Sequence, residues 1–510
     1  MSMTTKLLPG EHWWGGNAFQ AMEMPFHEGS NTDVDLYFRK KMGGFDTTAP
    51  FFVSSCGRYL WSEEPYVVTF KDGTLTVSEE RAEVILGEGY GTMREAYKAA
   101  CQKHFPFTGE IPDELFFSVP QYNTWIELNV NQTQEGVLKY AHDLLDNGFP
   151  AGILMIDGGW QTDYGIYTFN KLRFPDPKAM TDELHAMGFK VMVWVSPIIA
   201  SAGKNFKELR AKKYLVRDNT GDTAIRKWWS GHSAVLDLSN PAAVEWINGY
   251  FQDLMETYGV DGFKFDAGGP EFYRDDDITF AAKNRHDQMH YFTKWGQKYK
   301  FNEYRCEWKA AGLPLVSRLQ DKMHSWTDRG INMILPSTLA QGLLGSAYCC
   351  PDMVGGGDEV CFAGEFSGDR ELIVRWAQAN ALLPMMQFSL APWRVLEGEM
   401  LETVRNTARI HAEFGPYILG LAKESSKTGE PLARTMDYNY PGHGYEKILD
   451  QFMLGDEVLV APVLTKETYQ RTVEIPEGKW QADDGSIVEG RCTITVDVPL
   501  TRLPYFKRIG

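Results

Sequence analysis

The chain has 510 residues, 43% of them hydrophobic and 13% aromatic, which suits a folded protein of two or three domains and excludes a disordered one. Its net charge of −17 argues against nucleic acid or an anionic membrane as partner, since both call for basic surface. No apolar run approaches a membrane span, no apolar core for a signal peptide stands at the start, and the seven Cys lack regular spacing, so a cytoplasmic protein with reduced thiols is the expectation.

Residues 1–112 read as a β domain. Segments 66–70 and 74–77 flank Lys71-Asp72-Gly73, a hairpin signal because Asp-Gly accepts positive φ. Segments 51–53 and 82–86 add strands, and 92–104 is a short helix leading through Pro106 and Pro112. Gly87-Glu88-Gly89-Tyr90-Gly91 does not follow the dinucleotide fingerprint and is discounted as a phosphate loop.

From 113 the pattern turns to strand–helix alternation, the signature of a parallel α/β domain. Strands are expected at 116–125, 151–157, 189–196, 260–266, 302–308, 313–318, 347–352 and 384–389. Helices are expected near 137–147, 178–187, 241–258, 331–343 and 369–383, with a long insert at 200–240. Eight such units imply a (β/α)8 TIM barrel over 113–437 better than an open sheet. A helix at 397–414 and short strands at 457–463, 472–475 and 493–496 follow, and 438–510 is read as a small C-terminal β domain. The fold class is therefore α/β, a barrel between an N-terminal β-sandwich-like domain and a C-terminal β domain.

The stretch 259–270 organises the rest. It reads as a buried strand carrying Lys264 and Asp266 and breaking at Gly268-Gly269-Pro270, whose glycines are expected to leave the Asp266 carboxylate uncrowded and facing a cleft. A carboxylate at the C-terminal end of a barrel strand is where such barrels place their chemistry. A buried Lys–Asp pair that only ties the strand end is an equal reading of these residues. His-x-His, His-Glu-x-x-His, Cys-x-x-Cys and Gly-x-Ser-x-Gly are all absent, so neither a metal nor a cofactor is expected. Strand-end carboxylates beside Trp do recur: Asp157 with Trp160, Asp266, Asp321 with Trp326, and Asp352 before Gly355-Gly356-Gly357. Paired carboxylates and rings in one cleft suit glycoside hydrolysis, which takes one acid to protonate the leaving oxygen and one carboxylate to attack or to activate water.

These residues resemble glycoside hydrolase family 31 from about Phe51 to the C-terminus. Gly259 to Gly268 matches the segment of the family's nucleophile, and Gln320-Asp321-Lys322-Met323-His324-Ser325-Trp326 keeps the Asp-to-Ser-Trp spacing of its acid/base. Pro351-Asp352-Met353-Val354-Gly355-Gly356 and Arg375-Trp376-Ala377-Gln378 match two further motifs in order. The resemblance implies a retaining α-glycosidase with Asp266 as nucleophile and Asp321 as acid/base, acting on an oligosaccharide or glycoside, with Trp125, Asp157, Trp160, Trp194, Trp228, Lys264, Arg318 and Asp352 at the sugar. Two aspartates must differ in pKa for this, and Lys264 and Arg318 are expected to hold one ionised while burial beside Trp326 raises the other. Departures are Gln320 for Gly, Lys322 for Asn, and Gln387-Phe388-Ser389 where the family's glucosidases carry a sugar-binding His. These resemble the branch with bacterial α-galactosidases and the myogenesis-regulating glycosidase, so α-galactoside is the expected substrate. α-Glucosidase, α-xylosidase, transglycosylase and non-catalytic sugar-binding readings stay open, as does a homo-oligomer.

Overall fold

Parallel strands covered on both faces are apolar throughout, and the chain supplies eight such runs in order. The computed structural model describes residues 3–39, 45–362 and 364–510. Its central sheet consists of β1 (Gln121–Asn123), β2 (Ile153–Ile156), β3 (Lys190–Val195), β4 (Gly262–Phe265), β5 (Phe301–Tyr304), β6 (Val316–Arg318), β7 (Cys349–Cys350) and β8 (Gln387–Phe388), side by side in sequence order. β8 pairs in parallel with β1, and one parallel bridge from Met353 to Gln387 joins the β7 side to β8, which closes the barrel.

The covering helices are α1 (Gln134–Asp146), α2 (Pro177–Ala186), α3 (Pro241–Tyr258), α4 (Arg285–Lys294), α5 (Ile334–Leu343), α6 (Arg370–Ala381) and α7 (Gly398–Thr428). α3 shows how the sequence sets these limits. Asn240 accepts from the Ala242 amide, Pro241 takes the first turn, and Gly259 ends the helix at φ 76°, a conformation that favours glycine. Ala243, Ile247, Phe251 and Leu254 form its buried stripe, and Phe251 stacks on Phe263 of β4 at 4.2 Å between centroids.

Three departures from the expected elements have local causes. β5 ends at Tyr304 and β6 begins only at Val316, shorter than the strands expected at 302–308 and 313–318, and residues 305–315 join them without a helix. α7 runs on to Thr428 through Pro416 instead of ending at 414, because its buried stripe continues through Ile418, Ala422 and Ser425. In the C-terminal sheet, the strand expected at 457–463 is the short Val458–Val460, whereas those expected at 472–475 and 493–496 are parts of a long hairpin, Gln470–Ala482 with Ile487–Asp497, and the Pro476-Glu477-Gly478 break is absorbed as a shift of register between Ile475 and Gly478. The insert after β3 folds as a three-stranded antiparallel sheet of Ile198–Ala200, Gly231–Val235 and Ile225–Trp228.

The N-terminal domain is a pair of four-stranded antiparallel sheets, and the Asp72 and Gly73 hairpin turn has φ 50° and 67°. Its core of Trp13, Phe52, Val68 and Phe70 runs on into Trp194, Ala267 and Trp308 of the barrel. Thr48 bridges Trp308 in parallel, so the domain is docked beside the strand ends. Among the described residues no helix is long and apolar enough to cross a membrane.

Gly262 opens β4, and a Cβ there would lie 2.0 Å from the Phe301 carbonyl oxygen on β5. Gly262→Ala is expected to lower stability by about 1–3 kcal/mol, the usual cost of overpacking, read as a lower Tm; an unchanged Tm would show that β4 and β5 separate without strain.

Candidate active site

Asp266 is the first residue beyond β4, and its carboxylate is fixed from three sides. Oδ1 accepts from Arg305 Nε at 2.6 Å and from the Ala267 amide at 2.8 Å, and Oδ2 accepts from Trp194 Nε1 at 2.9 Å. Burial pushes the carboxyl up, but Arg305, then Lys264, outweigh it and hold Asp266 far below the usual carboxylate range. The glycines behind it do something other than clear its surroundings. A Cβ on Gly268 would fall 2.0 Å from the Phe292 ring of α4, so this glycine lets the chain pass the helix closely. The non-glycine Ala267 takes φ 63°, local strain beside the Asp266 carboxylate.

Asp321 lies beyond β6, and its Oδ1 accepts from Arg318 NH1 at 2.9 Å. The same guanidinium nitrogen donates to Asp352 Oδ1 at 2.7 Å, and Arg318 Nε is 3.5 Å from Glu303 Oε1. Burial raises Asp321, yet Arg318, Arg305 and Lys264 together outweigh it, so this carboxyl too is lowered in the ligand-free site. Trp326 does not contribute: its indole points into a different pocket and donates to Asp369 Oδ2 at 3.0 Å. The expectation that burial beside Trp326 raises Asp321 is therefore corrected. Of the two aspartates bonded to Arg318, the raised one is Asp352, fully buried and pushed up to about 6 by that burial against the opposing pull of Arg318. Gly357 lets the two loops meet, since a Cβ there would lie 2.6 Å from Asp321 Oδ1.

Both aspartates line one pocket of about 520 Å³ at the C-terminal end of the barrel. Its most buried ion pair is Lys264 Nζ donating to Asp157 Oδ2 at 2.7 Å, each residue under 5% exposed. Trp125, Trp194 and Arg318 also line it, whereas Asp352 stands behind Arg318 outside the wall. Two expected wall residues are elsewhere. Trp160 is fully buried, donates to the Trp194 carbonyl at 2.8 Å and packs on Phe169, so it is a core residue. Trp228 turns into the insert, donating to Ser233 Oγ, and its neighbour Trp229, 54% exposed, faces the pocket instead. Gln387 and Ser389 do not reach the cavity; Gln387 donates to Glu303 Oε2 at 2.6 Å and Ser389 Oγ accepts from the Ile126 amide.

Arg305 was invisible to the motif reading. Its signal is positional, a cation one residue past β5, and it lies with its guanidinium 5.5 Å from the Trp229 ring centroid. Each cation of the lining thus has a carboxylate: Lys264 with Asp157, Arg305 with Asp266, Arg318 with Asp321. Among the described residues no group of three or more His, Cys, Asp or Glu is arranged to hold a metal.

Residues 120–421 match the glycosyl hydrolases family 31 TIM-barrel domain, and residues 429–510 match the family 31 C-terminal domain. The chain belongs to glycoside hydrolase family 31. The myogenesis-regulating glycosidase of Mus musculus is 31% identical over 428 residues, covering 80% of this family 31 chain and 59% of the relative. Alpha-xylosidase XylQ of Lactiplantibacillus pentosus is 27% identical over 475 residues, covering 87% of this chain and 59% of the xylosidase. The chain thus spans 59% of the length of each of these relatives. A family 31 dextranase of Flavobacterium johnsoniae, solved with isomaltotriose, shares the fold with a TM-score of 0.82 at 21% identity, over 99% of this chain and 66% of the dextranase chain.

Arg305 lowers both aspartates, so removing it has a defined sign. Arg305→Met is expected to move the acid limb of the kcat/KM profile for a p-nitrophenyl glycoside up by about one pH unit, and the basic limb with it. A profile that does not move would remove Arg305 from the electrostatics of Asp266.

Proposed function

We propose that the chain is a retaining, exo-acting α-glycosidase that uses Asp266 as nucleophile and Asp321 as acid/base. The observation that carries this reading is the unequal fixing of two carboxylates in one pocket. Asp266 has three donors and a strongly lowered pKa, as a nucleophile requires, while the Asp321 side chain, within the pocket but 42% exposed to it, accepts among the described residues from Arg318 alone. In the first step an Asp266 oxygen bonds to the anomeric carbon as the bond to the leaving oxygen breaks, and Asp321 gives that oxygen its proton. In the second, the Asp321 carboxylate takes a proton from water, the water oxygen attacks the same carbon, and the Asp266 ester bond breaks.

The electrostatics favour this order. The negative charge of Asp266 raises Asp321, opposing the cations that lower it. A bound sugar displaces water from Asp321 and adds to burial, which raises it further. Forming the ester consumes the Asp266 charge, so Asp321 becomes a stronger acid as its proton is needed. The cation pairing supports a neutral sugar, because among the described residues no lining cation is left to meet a carboxylate or sulfonate.

Among neutral sugars the reading is an α-galactoside. The Lys264–Asp157 pair offers a donor and an acceptor at the deep end, suited to a sugar hydroxyl, and β8 sends no polar group into the pocket where the family's glucosidases present a His. A site built on one hydroxyl rejects its epimer strongly, since the buried groups are left unpaired.

Asp266→Ala is expected to abolish turnover with the fold intact, and added azide should restore part of it as a β-glycosyl azide; wild-type rates in the alanine variant would refute the nucleophile. Asp321→Ala should be mild on p-nitrophenyl glycosides and severe on disaccharides, whose leaving groups need protonation. The sugar is tested by kcat/KM for p-nitrophenyl α-galactoside, α-glucoside and α-xyloside, with a glucoside or xyloside preferred by about tenfold retiring the galactose reading alone.

A further inference from the structure

Asp321 lies between Gln320 and Lys322, where the family's common form has Gly and Asn, and catalysis as derived above gives these two no task. Both are gripped by groups outside their own loop. The Gln320 amide donates to Asp46 Oδ1 at 2.5 Å, and its carbonyl accepts from Lys322 Nζ at 3.3 Å. The Lys322 amide in turn donates to Asp352 Oδ2 at 2.8 Å. Asp46 belongs to the N-terminal domain and is fully buried, as Lys322 nearly is.

We propose that Asp46 is a positioning residue that holds the acid segment through the Gln320 amide, with Lys322 as its buried counter-charge. The inference rests on the reading of Asp321 as the acid. A buried carboxylate is costly unless compensated, so this one needs a partner to stay in place. Burial raises the Asp46 carboxyl against the opposing charges of Lys322, then Arg305 and Arg318, and Glu307 is a like charge near it. Asp46 is itself anchored. The next residue, Thr47, donates to Glu307 Oε1 at 2.6 Å and accepts from Gln341 Nε2 at 2.7 Å, and Thr48 exchanges backbone bonds with Glu307 and Lys309. The residue before Asp321 is thus held at both its N–H and its C=O, and the residue after it by Asp352. An acid must meet the leaving oxygen to within a few tenths of an ångström, so slack in these anchors is paid in protonation of the leaving group.

A general structural role would reduce activity on every substrate alike, whereas a role through Asp321 follows the leaving group. Asp46→Ala is expected to cut kcat/KM for a disaccharide at least tenfold more than for the p-nitrophenyl glycoside of the same sugar, and to shift the basic limb of the pH profile. Asp46→Asn, whose amide oxygen accepts the same N–H, should recover the disaccharide rate to within about threefold of wild type. Should Asp46→Ala fail to fold, Lys322→Met must show the same leaving-group signature. Asp321→Ala is measured alongside. If it loses both substrates equally, the acid reading falls and this proposal with it. If it shows the signature while Asp46→Ala, or Lys322→Met in its place, loses both substrates equally or loses neither, only the positioning role is overturned.

Discussion

Arg318 is a guanidinium buried where the barrel opens, and the remaining geometry hangs on how it is neutralised. Its bonds to Asp321 and Asp352 tie the loops after β6 and β7 together, and its approach to Glu303 adds β5. Glu303 accepts from Gln387 of β8, which also donates to Gln121 of β1. On the opposite side Asp157 beyond β2 pairs with Lys264 of β4, Trp160 donates to the β3 carbonyl at Trp194, and Asp266 joins Trp194 and Arg305. Each of the eight strands, or the residues just beyond it, thus contributes a polar group to this discontinuous belt. Buried ionic belts of this kind contribute little net stability, because desolvation offsets attraction. What they supply is fixed placement, which the proposed reaction requires of its two carboxylates.

The N-terminal domain takes part in that placement. Its aromatic core is continuous with Trp194 and Ala267, which both donate to the Asp266 carboxylate, and with Trp308 of the β5–β6 connection. Thr48 meets the β5–β6 connection by backbone bonds, which compensates for the absence of a covering helix there. A barrel lacking this domain would expose apolar surface and leave Arg305 on an unsupported loop. The two units therefore act as one folding and functional body at this edge.

Much of this was legible in the sequence because apolar runs and helix caps are local. The limits of α3 followed from Asn240, Pro241 and Gly259, and the Asp72-Gly73 turn from its positive φ. The lining places of Asp266, Asp321, Asp157, Lys264 and Arg318 followed from strand-end position and motif spacing. The rest depended on tertiary facts. Nothing local separates Trp160, whose indole turns into the core, from Trp229, which stands half exposed at the pocket. Arg305 sits in no motif, and its partner Asp266 is 39 residues away. Asp46 reaches Gln320 across 274 residues, a distance over which periodicity carries no information. Continuation of α7 through Pro416 was hidden as well, because the packing that overrides the proline lies downstream of it.

The barrel is not uniformly closed. Between β7 and β8 its wall has one bridge, Met353 to Gln387, with the Val354 amide donating to the Gln387 carbonyl at 2.8 Å. Asp352, at φ 88°, directly precedes this rung and bonds both Arg318 and the Lys322 amide. A wall held by so few backbone bonds is the first to part on warming, while the β2–β3–β4 side keeps its full ladders. Parting there releases Asp352, and with it the geometry of Asp321, before the apolar core is exposed. Heat is therefore expected to disturb the Asp321 side of the pocket before it melts the fold, through the seam where Met353 and Val354 meet Gln387.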